Sequence, residues 1–556
     1  MKTRKYLSFF IVLALILTTL VGCGKEDSKV ETDAQPIDSE QYLNLLLGAE
    51  PSTLDPSKGA DSYSNSILNN VMEPLTRLEE DEDLNNFVAP AGAEDWEHNE
   101  DGTVWTFKIR DAKWSDGEPV RAQDYEYGIK RSIAQDTASP YAYLLNSIKN
   151  AAKANSGELS VDEVGVKALD DKTLEITLEG PTPHFLSLTY QRVMLPQRQD
   201  IVEKYGDQYG SEIDTIVYNG PFVLSTWVHN SELVLAKNEN YWDKDTVKLD
   251  NINLKIIQDE NAIYNSLANG SIDLAGANKP EWKEKFMKDD RLDHKEVVNP
   301  QTFFIFFNTQ DEVFKNENVR KAFSIAINRE ELANVIFHGV HMPAYGWVAP
   351  SISIGDDEYR TVVEGPVKQL IEENSDPKAL LSKGLEELGM DPDPANLTVK
   401  IAFGNTDQWF RTYGEYLQEM YNKVLGVNIE VEMYEWPVFN AAVEKGEFQV
   451  SYMAWGAEYN DPFSMLSLLR SDANAIGTGW VNEEYDELID LAAKEMDQGK
   501  RLEYFEEAEK ILLYDEAVLA PVVYTRGNIF SYKYVHNLGV TPFETQGYKY
   551  GYTQGR

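Results

Sequence analysis

The sequence predicts an α/β protein made of several lobes with mixed sheets, and three observations lead to this prediction. Strand-like and helix-like patterns interleave along most of the chain, which is typical of sheets covered by helices. Hydrophobic residues make up 42% of the chain and aromatic residues 11%, so large apolar cores can form. Roughly 515 residues follow a polar N-terminal stretch, which is enough for about two to four lobes of ordinary size.

Individual elements follow from the spacing of apolar residues. Residues 103–110 (TVWTFKIR) and 173–178 (TLEITL) alternate apolar and polar positions, as half-buried strands do. The run 519–525 (LAPVVYT) is also strand-like, and 454–469 (AWGAEYNDPFSMLSLL) is predicted to be a strand leading into an amphipathic helix. Apolar residues recur at helical spacing in six further segments: 122–134, 319–337, 380–388, 414–424, 483–494 and 501–513.

The first 22 residues have the pattern of a secretory signal peptide. A basic head precedes an apolar run, 7–22, that is shorter than the ~20 residues a membrane-spanning helix needs. The LVGC sequence at 20–23 resembles the lipobox of bacterial lipoproteins. That resemblance implies that Cys23, the only cysteine, is acylated and becomes the mature N-terminus.

Residues 23–40 are predicted to be a lipidated N-terminus followed by a flexible tether. Residues 24–40 carry no aromatic and few aliphatic side chains, so they cannot bury enough apolar surface to fold. We expect the protein to lie on the outer face of the bacterial cytoplasmic membrane, at a Gram-positive cell surface. The lipid would be its only membrane contact.

The charge of the chain argues against a nucleic-acid partner. The formal net charge of −42 becomes −45 when the three basic residues of 1–22 are removed. Nucleic acids need basic surfaces, and an anionic lipid surface repels such a chain. The charge favours solubility and does not identify a ligand.

No catalytic motif is present. The chain lacks G-x-S-x-G, G-x-x-x-x-G-K-[ST] and G-x-G-x-x-G, and its single cysteine is the expected acylation site. His338 and His341 in FHGVHMP have no acidic residue at metal-site spacing, and pairs drawn from 93 acidic residues are uninformative. We therefore expect no catalytic residue, metal or cofactor, and a binding protein rather than an enzyme.

Seven runs, in order, resemble one family: the extracytoplasmic solute-binding receptors of oligopeptide ABC importers. Together they extend over essentially the whole chain after the tether. The runs are GAEPSTLDP (48–56), AKWSDGEPVRAQDYEYGIKR with TASPYAYL (112–144), VKALDDKTLEITL (166–178), YNGPFVLSTW (218–227), NENVRKAFSIAINRE (316–330), HMPAYGW (341–347) and AWGAEYNDP (454–462).

The resemblance implies a three-lobed, periplasmic-binding-protein-like (Venus-flytrap) fold whose cleft closes over a ligand. Ligand is expected between the first and third lobes, and the chain crossings near Phe303 and Val523 are the expected hinges. The expected boundaries are 41–62, 193–301 and 524–556 for lobe I, 63–192 for lobe II and 302–523 for lobe III.

The resemblance also implies a peptide-binding edge. Ala454 and Gly456 are small and can present backbone groups in one direction, with Glu50 to Ser52 as the opposite wall and a peptide between them as an extra strand. Glu458 occupies the position of the family's acidic anchor for the peptide α-ammonium, where aspartate is usual. The alternatives are that Glu458 pairs with a protein arginine or lysine, or that it faces solvent.

Other positions depart from the family or have two interpretations. The family's arginine and histidine that help to hold the ligand C-terminus correspond to Tyr452 and Trp409, so ligand length stays open. Trp455, Trp436 and Tyr141 are candidate pocket walls by the same resemblance, and a core role is the alternative for each.

We therefore expect a monomeric, non-enzymatic receptor. It would bind extended oligopeptides through backbone hydrogen bonds and a terminal ion pair, and deliver them to an ABC permease with cytoplasmic ATPases. Side chains are expected in roomy, hydrated pockets. The alternatives are the same fold binding a dipeptide, signalling peptide, nickel complex, haem or glycoside, a lipid-anchored hydrolase, and a sensing or chaperone-like protein.

Overall fold

The structure, a computed structural model, describes residues 36–80, 86–473, 475–539, 543 and 547–556. The predicted signal peptide and the predicted acylation site, Cys23, lie outside the described residues. Within the described ranges, no helix is long and apolar enough to cross a membrane. The end of the predicted tether contacts the folded body, because Asp38 accepts a hydrogen bond from the Gly555 backbone nitrogen at 2.8 Å.

The strands are numbered in chain order. They are β1 Tyr42–Leu47, β2 Thr76–Glu80, β3 Asn86–Pro90, β4 Ala93–His98, β5 Val104–Ile109, β6 Val166–Ala168, β7 Thr173–Thr177, β8 Phe222–Val228, β9 Glu232–Lys237, β10 Asn251–Ile256, β11 Leu274–Gly276, β12 Leu292–Phe307, β13 Met342–Pro343, β14 Ser353–Ile354, β15 Asp357–Glu358, β16 Thr398–Phe403, β17 Asn428–Met433, β18 Val450–Gly456, β19 Leu519–Tyr532, β20 Val535–His536 and β21 Tyr552–Thr553.

The α-helices alternate with these strands. They are α1 Ser62–Val71, α2 Ala122–Ile133, α3 Ala151–Asn155, α4 Phe185–Leu188, α5 Gln199–Tyr205, α6 Glu260–Asn269, α7 Pro280–Met287, α8 Glu317–Ile325, α9 Arg329–Val335, α10 Tyr359–Val362, α11 Pro366–Glu373, α12 Pro377–Glu387, α13 Gln408–Leu425, α14 Trp436–Glu444, α15 Phe463–Leu466, α16 Glu483–Ala492 and α17 Gln498–Lys510.

Three larger sheets organise the described residues. The first has the order β1-β10-β9-β8 and is mixed, because β1 runs parallel to β10 while the other neighbours are antiparallel. The second, β4-β5-β7-β6, is antiparallel. The third has the order β11-β19-β12-β18-β16-β17, in which β18, β16 and β17 are parallel and the other neighbours antiparallel.

Strands β12 and β19 form a long antiparallel ribbon in the third sheet, with 16 and 14 residues. Pairing is regular up to Val298 and resumes at Thr302, so three residues of β12 lie opposite the single residue Thr525 of β19. Such a bulge bends a strand locally. Phe303 and Val523, the predicted hinge positions, pair with each other immediately beside this interruption.

The cores follow from the alternation of side chains in these strands. One core joins the first and second sheets, with Leu254 and Phe107 among its buried members. The third sheet has a core on each face, because successive residues of β12 point to opposite sides: Phe307 belongs to one core and Phe306 to the other. The mixed α/β fold class predicted from the sequence is confirmed.

The structure corrects the predicted helix over 319–337. Two helices, α8 and α9, occupy this range: α8 ends at Ile325, and Asn328 caps the start of α9 by accepting a hydrogen bond from the Glu331 backbone nitrogen at 3.1 Å. The helical part of 454–469 is also shorter than predicted. It is limited to α15 and one 3₁₀ turn, Ser467–Leu469.

Candidate functional site: an open strand edge beside an apolar cavity

Strand β18 has one edge that is only partly paired. Along its whole length it pairs with β12, from Val450 to Gly456. On the other side it pairs with β16 only as far as Tyr452. Among the described residues, 453–456 therefore form an edge to which no further strand is bonded. We call this segment the open edge.

The backbone groups of Ala454 and Gly456 point toward the open edge. Ala457 donates its backbone N–H to the Pro300 carbonyl at 2.8 Å, which shows that odd-numbered residues of this segment bond to the β12 side. Because bonding direction alternates along an antiparallel strand, the N–H and C=O groups of Ala454 and Gly456 face the other way. A second chain lying along this edge could therefore form backbone hydrogen bonds with Ala454 and Gly456.

Glu458 lies two residues beyond the open edge, and its carboxylate has no protein partner among the described residues. Its backbone is fixed, because its N–H donates to Ser464 Oγ at 2.8 Å and its carbonyl accepts from Gln191 Nε2 at 3.2 Å. Burial raises the pKa of the half-buried carboxyl group, and the charge of Arg192 offsets this in part. Within the described part of the chain, Glu458 therefore forms no ion pair with an arginine or lysine.

Arg192 stays near Glu458 without pairing because other groups hold it. Its guanidinium carbon lies 4.3 Å from the centre of the Tyr141 ring, and its Nη1 donates to the Asp61 carbonyl at 3.1 Å. Tyr141, a predicted pocket wall, thus lies beside the arginine nearest to the candidate anchor. Arg192 and its contact with Asp61 could not be assigned to the site from the sequence pattern.

Glu50 and Ser52, the predicted opposite wall, use their side chains within their own lobe. The Glu50 carboxylate accepts hydrogen bonds from Trp227 Nε1 and from the Asn230 backbone nitrogen, both at 2.8 Å. Ser52 donates from its backbone nitrogen to Asp61 at 3.2 Å and from its hydroxyl to the same carboxylate. Because these two side chains already form hydrogen bonds, the predicted wall would have to bind a ligand through its own backbone groups.

A cavity of about 790 Å³ adjoins the open edge at Ala454. Residues 278–281 with Glu260 form one wall, and segments of the third sheet and its helices form the rest. Six aromatic side chains dominate that second part: Phe303, Phe337, Trp409, Phe410, Trp436 and Tyr452. The lining of this cavity is mainly apolar.

The candidate aromatic residues differ in burial. Trp436 is 53% exposed at the start of α14 and lines the cavity. Trp409 contacts Phe337, with ring centres 5.5 Å apart. Trp455, on the opposite face of β18 from Ala454, packs partly against the third-sheet core, so the structure gives it a largely structural position. Trp436 and Trp409 therefore face the candidate site more directly than Trp455 does.

Among the described residues, the cavity wall contains no unpaired lysine or arginine. Tyr452 is buried, and among the described residues its hydroxyl has no hydrogen-bond partner; burial raises its pKa, so it stays neutral. His341 contacts the Arg526 backbone through Nδ1, and burial lowers its pKa, which favours the neutral ring. Lys279, the one lysine or arginine lining the cavity, is paired with Glu260 at 2.6 Å.

The His338–His341 pair forms part of this wall, and no group of three or more potential metal ligands occurs in the part of the chain that the structure describes. The sequence analysis named Ala454, Trp436, Tyr452 and Trp409 of the cavity lining but missed its other aromatic residues and residues 278–281. A usable signal was present in Trp409, Phe410 and Tyr413, whose spacing places three rings close together at the start of one helix.

An open strand edge, an unpartnered carboxylate and an apolar cavity are features of a protein that binds a ligand between parts of its fold. Residues 88–477 match the bacterial extracellular solute-binding proteins, family 5 Middle, and the chain belongs to this family. It is therefore a solute-binding receptor and not an enzyme, as the sequence predicted.

Known relatives cover nearly the whole chain. The oligopeptide-binding protein OppA of Bacillus subtilis (strain 168) is 34% identical over 508 residues, 90% of this chain and 89% of that protein. The dipeptide-binding protein DppE of the same strain is 34% identical over 521 residues, 92% of each. The crystal structure of the substrate-binding domain of an oligopeptide ABC transporter from Bacillus anthracis str. Ames superposes with a TM-score of 0.74 and 31% identity, covering 93% of this chain and 99% of that chain.

Proposed function

We propose that this receptor binds extended oligopeptides as an additional strand on the open edge, with the peptide α-ammonium at Glu458. The proposal rests on a half-buried carboxylate that has no partner among the described residues and lies at the end of an unpaired strand edge. An ammonium group has three donors and no acceptor, and it would neutralise a charge that is costly to keep buried alone. The similarity to an oligopeptide-binding protein and to a dipeptide-binding protein supports a peptide ligand.

The proposal extends to transport. The ligand-loaded receptor would present its peptide to an ABC permease with cytoplasmic ATPases, as the name of the related B. anthracis transporter suggests. We further propose that the predicted lobes close over the ligand by bending near Phe303 and Val523. Support comes from the ribbon of β12 and β19, whose pairing is interrupted beside these two residues.

The first test is the identity of the co-purified ligand. Gentle extraction of receptor purified from its native cells, followed by mass spectrometry, should give a series of peptides, because recognition through backbone and ammonium groups ignores most side chains. Retention of one nickel complex, haem or glycoside would contradict the proposal. Cleaved products after incubation with a labelled peptide library would instead indicate a hydrolase.

We also propose that the receptor is a monomer held at the outer face of the cytoplasmic membrane by a lipid on Cys23. Support comes from the lipobox-like LVGC sequence after an apolar, basic-headed segment. In a Gram-positive host, Cys23→Ser should remove the acylated residue. The variant protein should then appear in the medium or accumulate as an unprocessed precursor, and not as the lipidated form in the membrane fraction. Metabolic labelling with a palmitate analogue measures this directly, and labelling that survives Cys23→Ser would contradict it.

A further inference from the structure

We infer that the aromatic cavity is a specificity pocket that selects peptides with one bulky apolar side chain. This inference rests on the proposed function, because it assumes a peptide on the open edge. It goes further by naming which peptides bind best. Backbone recognition alone would give peptides of all sequences similar affinities. A mostly apolar cavity beside the bound peptide backbone would favour peptides with an apolar side chain at that position.

The cavity is continuous with the open edge. Ala454 belongs to both, since it lines the cavity and points its backbone N–H and C=O away from β12. Its neighbours Met453 and Tyr452 also line the cavity. A ligand residue paired with Ala454 therefore has its side chain beside the cavity and not in solvent.

The chemistry of the wall favours an uncharged, apolar occupant. Trp409 and Phe410 meet edge to face, with ring centres 4.9 Å apart, and Phe303 meets Tyr452 in the same way at 5.9 Å. Rings already packed against one another leave a fixed apolar surface that an aromatic or branched aliphatic group can cover. The volume of about 790 Å³ lies within the ordinary range of ligand pockets, about 300–1,000 Å³.

The rim charges do not turn the pocket into a cation site. Glu260 is paired with Lys279 at 2.6 Å, and Glu281, the other carboxylate of the lining, is exposed to solvent. The neutral His341 adds no charge, because burial lowers its pKa. A lysine or arginine side chain entering the pocket would lose its hydration without gaining a buried counter-charge in return.

Strand geometry places the selected side chain near the third residue of the peptide. With its ammonium at Glu458, the peptide runs from Gly456 toward Ala454, antiparallel to β18. Consecutive ladder positions on one edge are two residues apart, at about 3.3 Å per residue. If the first peptide residue pairs near Gly456, the third pairs with Ala454. Pairing must then stop, because from Tyr452 onward this edge of β18 is already paired with β16.

The test uses pentaalanine peptides in which position 2, 3 or 4 is replaced in turn by phenylalanine, leucine, serine, lysine or arginine. We expect titration calorimetry to show a preference for phenylalanine and leucine over serine at one position, centred on the third, of about tenfold to one hundredfold, because a large apolar side chain is removed from water. Lysine and arginine should bind no better than serine there.

A matched pair of variants assigns the effect to the pocket. Trp436→Ala removes a lining ring that is 53% exposed, so the fold should persist, and we expect the phenylalanine-to-serine ratio to fall at least about threefold. Val438→Ala, two residues along α14, 57% exposed and outside the lining, should leave the ratio unchanged.

Two outcomes would overturn the inference: equal affinities for phenylalanine and serine at all three positions, or a preference for lysine or arginine. In either case tight binding of pentaalanine itself would leave the proposed peptide receptor intact. Failure of every peptide to bind would instead refute the proposed function.

Discussion

Glu458→Gln is expected to weaken peptides with a free N-terminus by at least about thirtyfold, while N-acetylated peptides change by less than about threefold. Removing one partner of a desolvated charge pair typically costs about 2–5 kcal/mol of binding free energy, largely because the other charge is left unpaired. An acetylated peptide brings no ammonium and so has no charge to lose. Calorimetric titration of matched free and acetylated peptides at pH 7 measures both effects.

The pH dependence gives an independent check on the same carboxylate. Burial raises the pKa of Glu458 in the free receptor, and only the ionised form pairs with an ammonium. Affinity for free-N-terminus peptides should therefore fall as the pH drops through this raised pKa, at a higher pH than an ordinary glutamate would require. The Glu458→Gln variant should not show this fall in affinity with pH. The Glu484→Gln variant, changed at an exposed position in α16, should still show it. Equal losses for free and acetylated peptides would contradict the proposed ammonium site.

Asp461→Ala is expected to lower the free energy of unfolding by about 3–5 kcal/mol, the usual cost of leaving a buried charge without its partner. Asp461 and Arg501 are 5% and 1% exposed, and each Asp461 oxygen accepts from one Arg501 nitrogen at 2.9 Å. Chemical denaturation of the ligand-free protein, followed by tryptophan fluorescence, measures the loss. The change should also weaken peptide binding, because Asp461 holds the turn that carries Glu458.

Asp472→Ala serves as the matched control. Asp472 also pairs with an arginine, Arg470, at 3.0 Å, but its side chain is 72% exposed. Because water already screens this pair, the free energy of unfolding should fall by less than about 1 kcal/mol. Similar small losses for the two variants would show that the buried pair does not stabilise the turn.

The fold class and many elements could be predicted because the relevant signals are local. Alternation in 103–110 corresponds to β5, Val104–Ile109, and helical spacing in 122–134 corresponds to α2, Ala122–Ile133. The prediction over 319–337 failed because the continuous apolar period hides a helix end at Ile325 and a new, capped helix start at Asn328. Apolar spacing reports which face is buried, whereas helix ends depend on side-chain hydrogen bonds that spacing does not contain.

The candidate site could be predicted only in part. The resemblance to a family pointed to Glu458 and to the backbone of Ala454. The apolar period of β18 could not reveal that its pairing with β16 ends at Tyr452 and leaves the open edge. The cavity is assembled from segments between Glu260 and Ala454 that are far apart in sequence. No local pattern can bring such segments together, so the pocket emerges only once the third sheet is formed.

The interruption in the β12–β19 ribbon lies directly beside the candidate anchor. Pro300, one of the three residues that bulge from β12, accepts the hydrogen bond of Ala457, and Ala457 is the residue before Glu458. The proposed hinge and the proposed position of the ligand charge are thus linked by one hydrogen bond and one peptide unit. On the proposed closing motion, a ligand bound at Glu458 would act beside the proposed hinge, where a small displacement would become a large movement at the far ends of the predicted lobes.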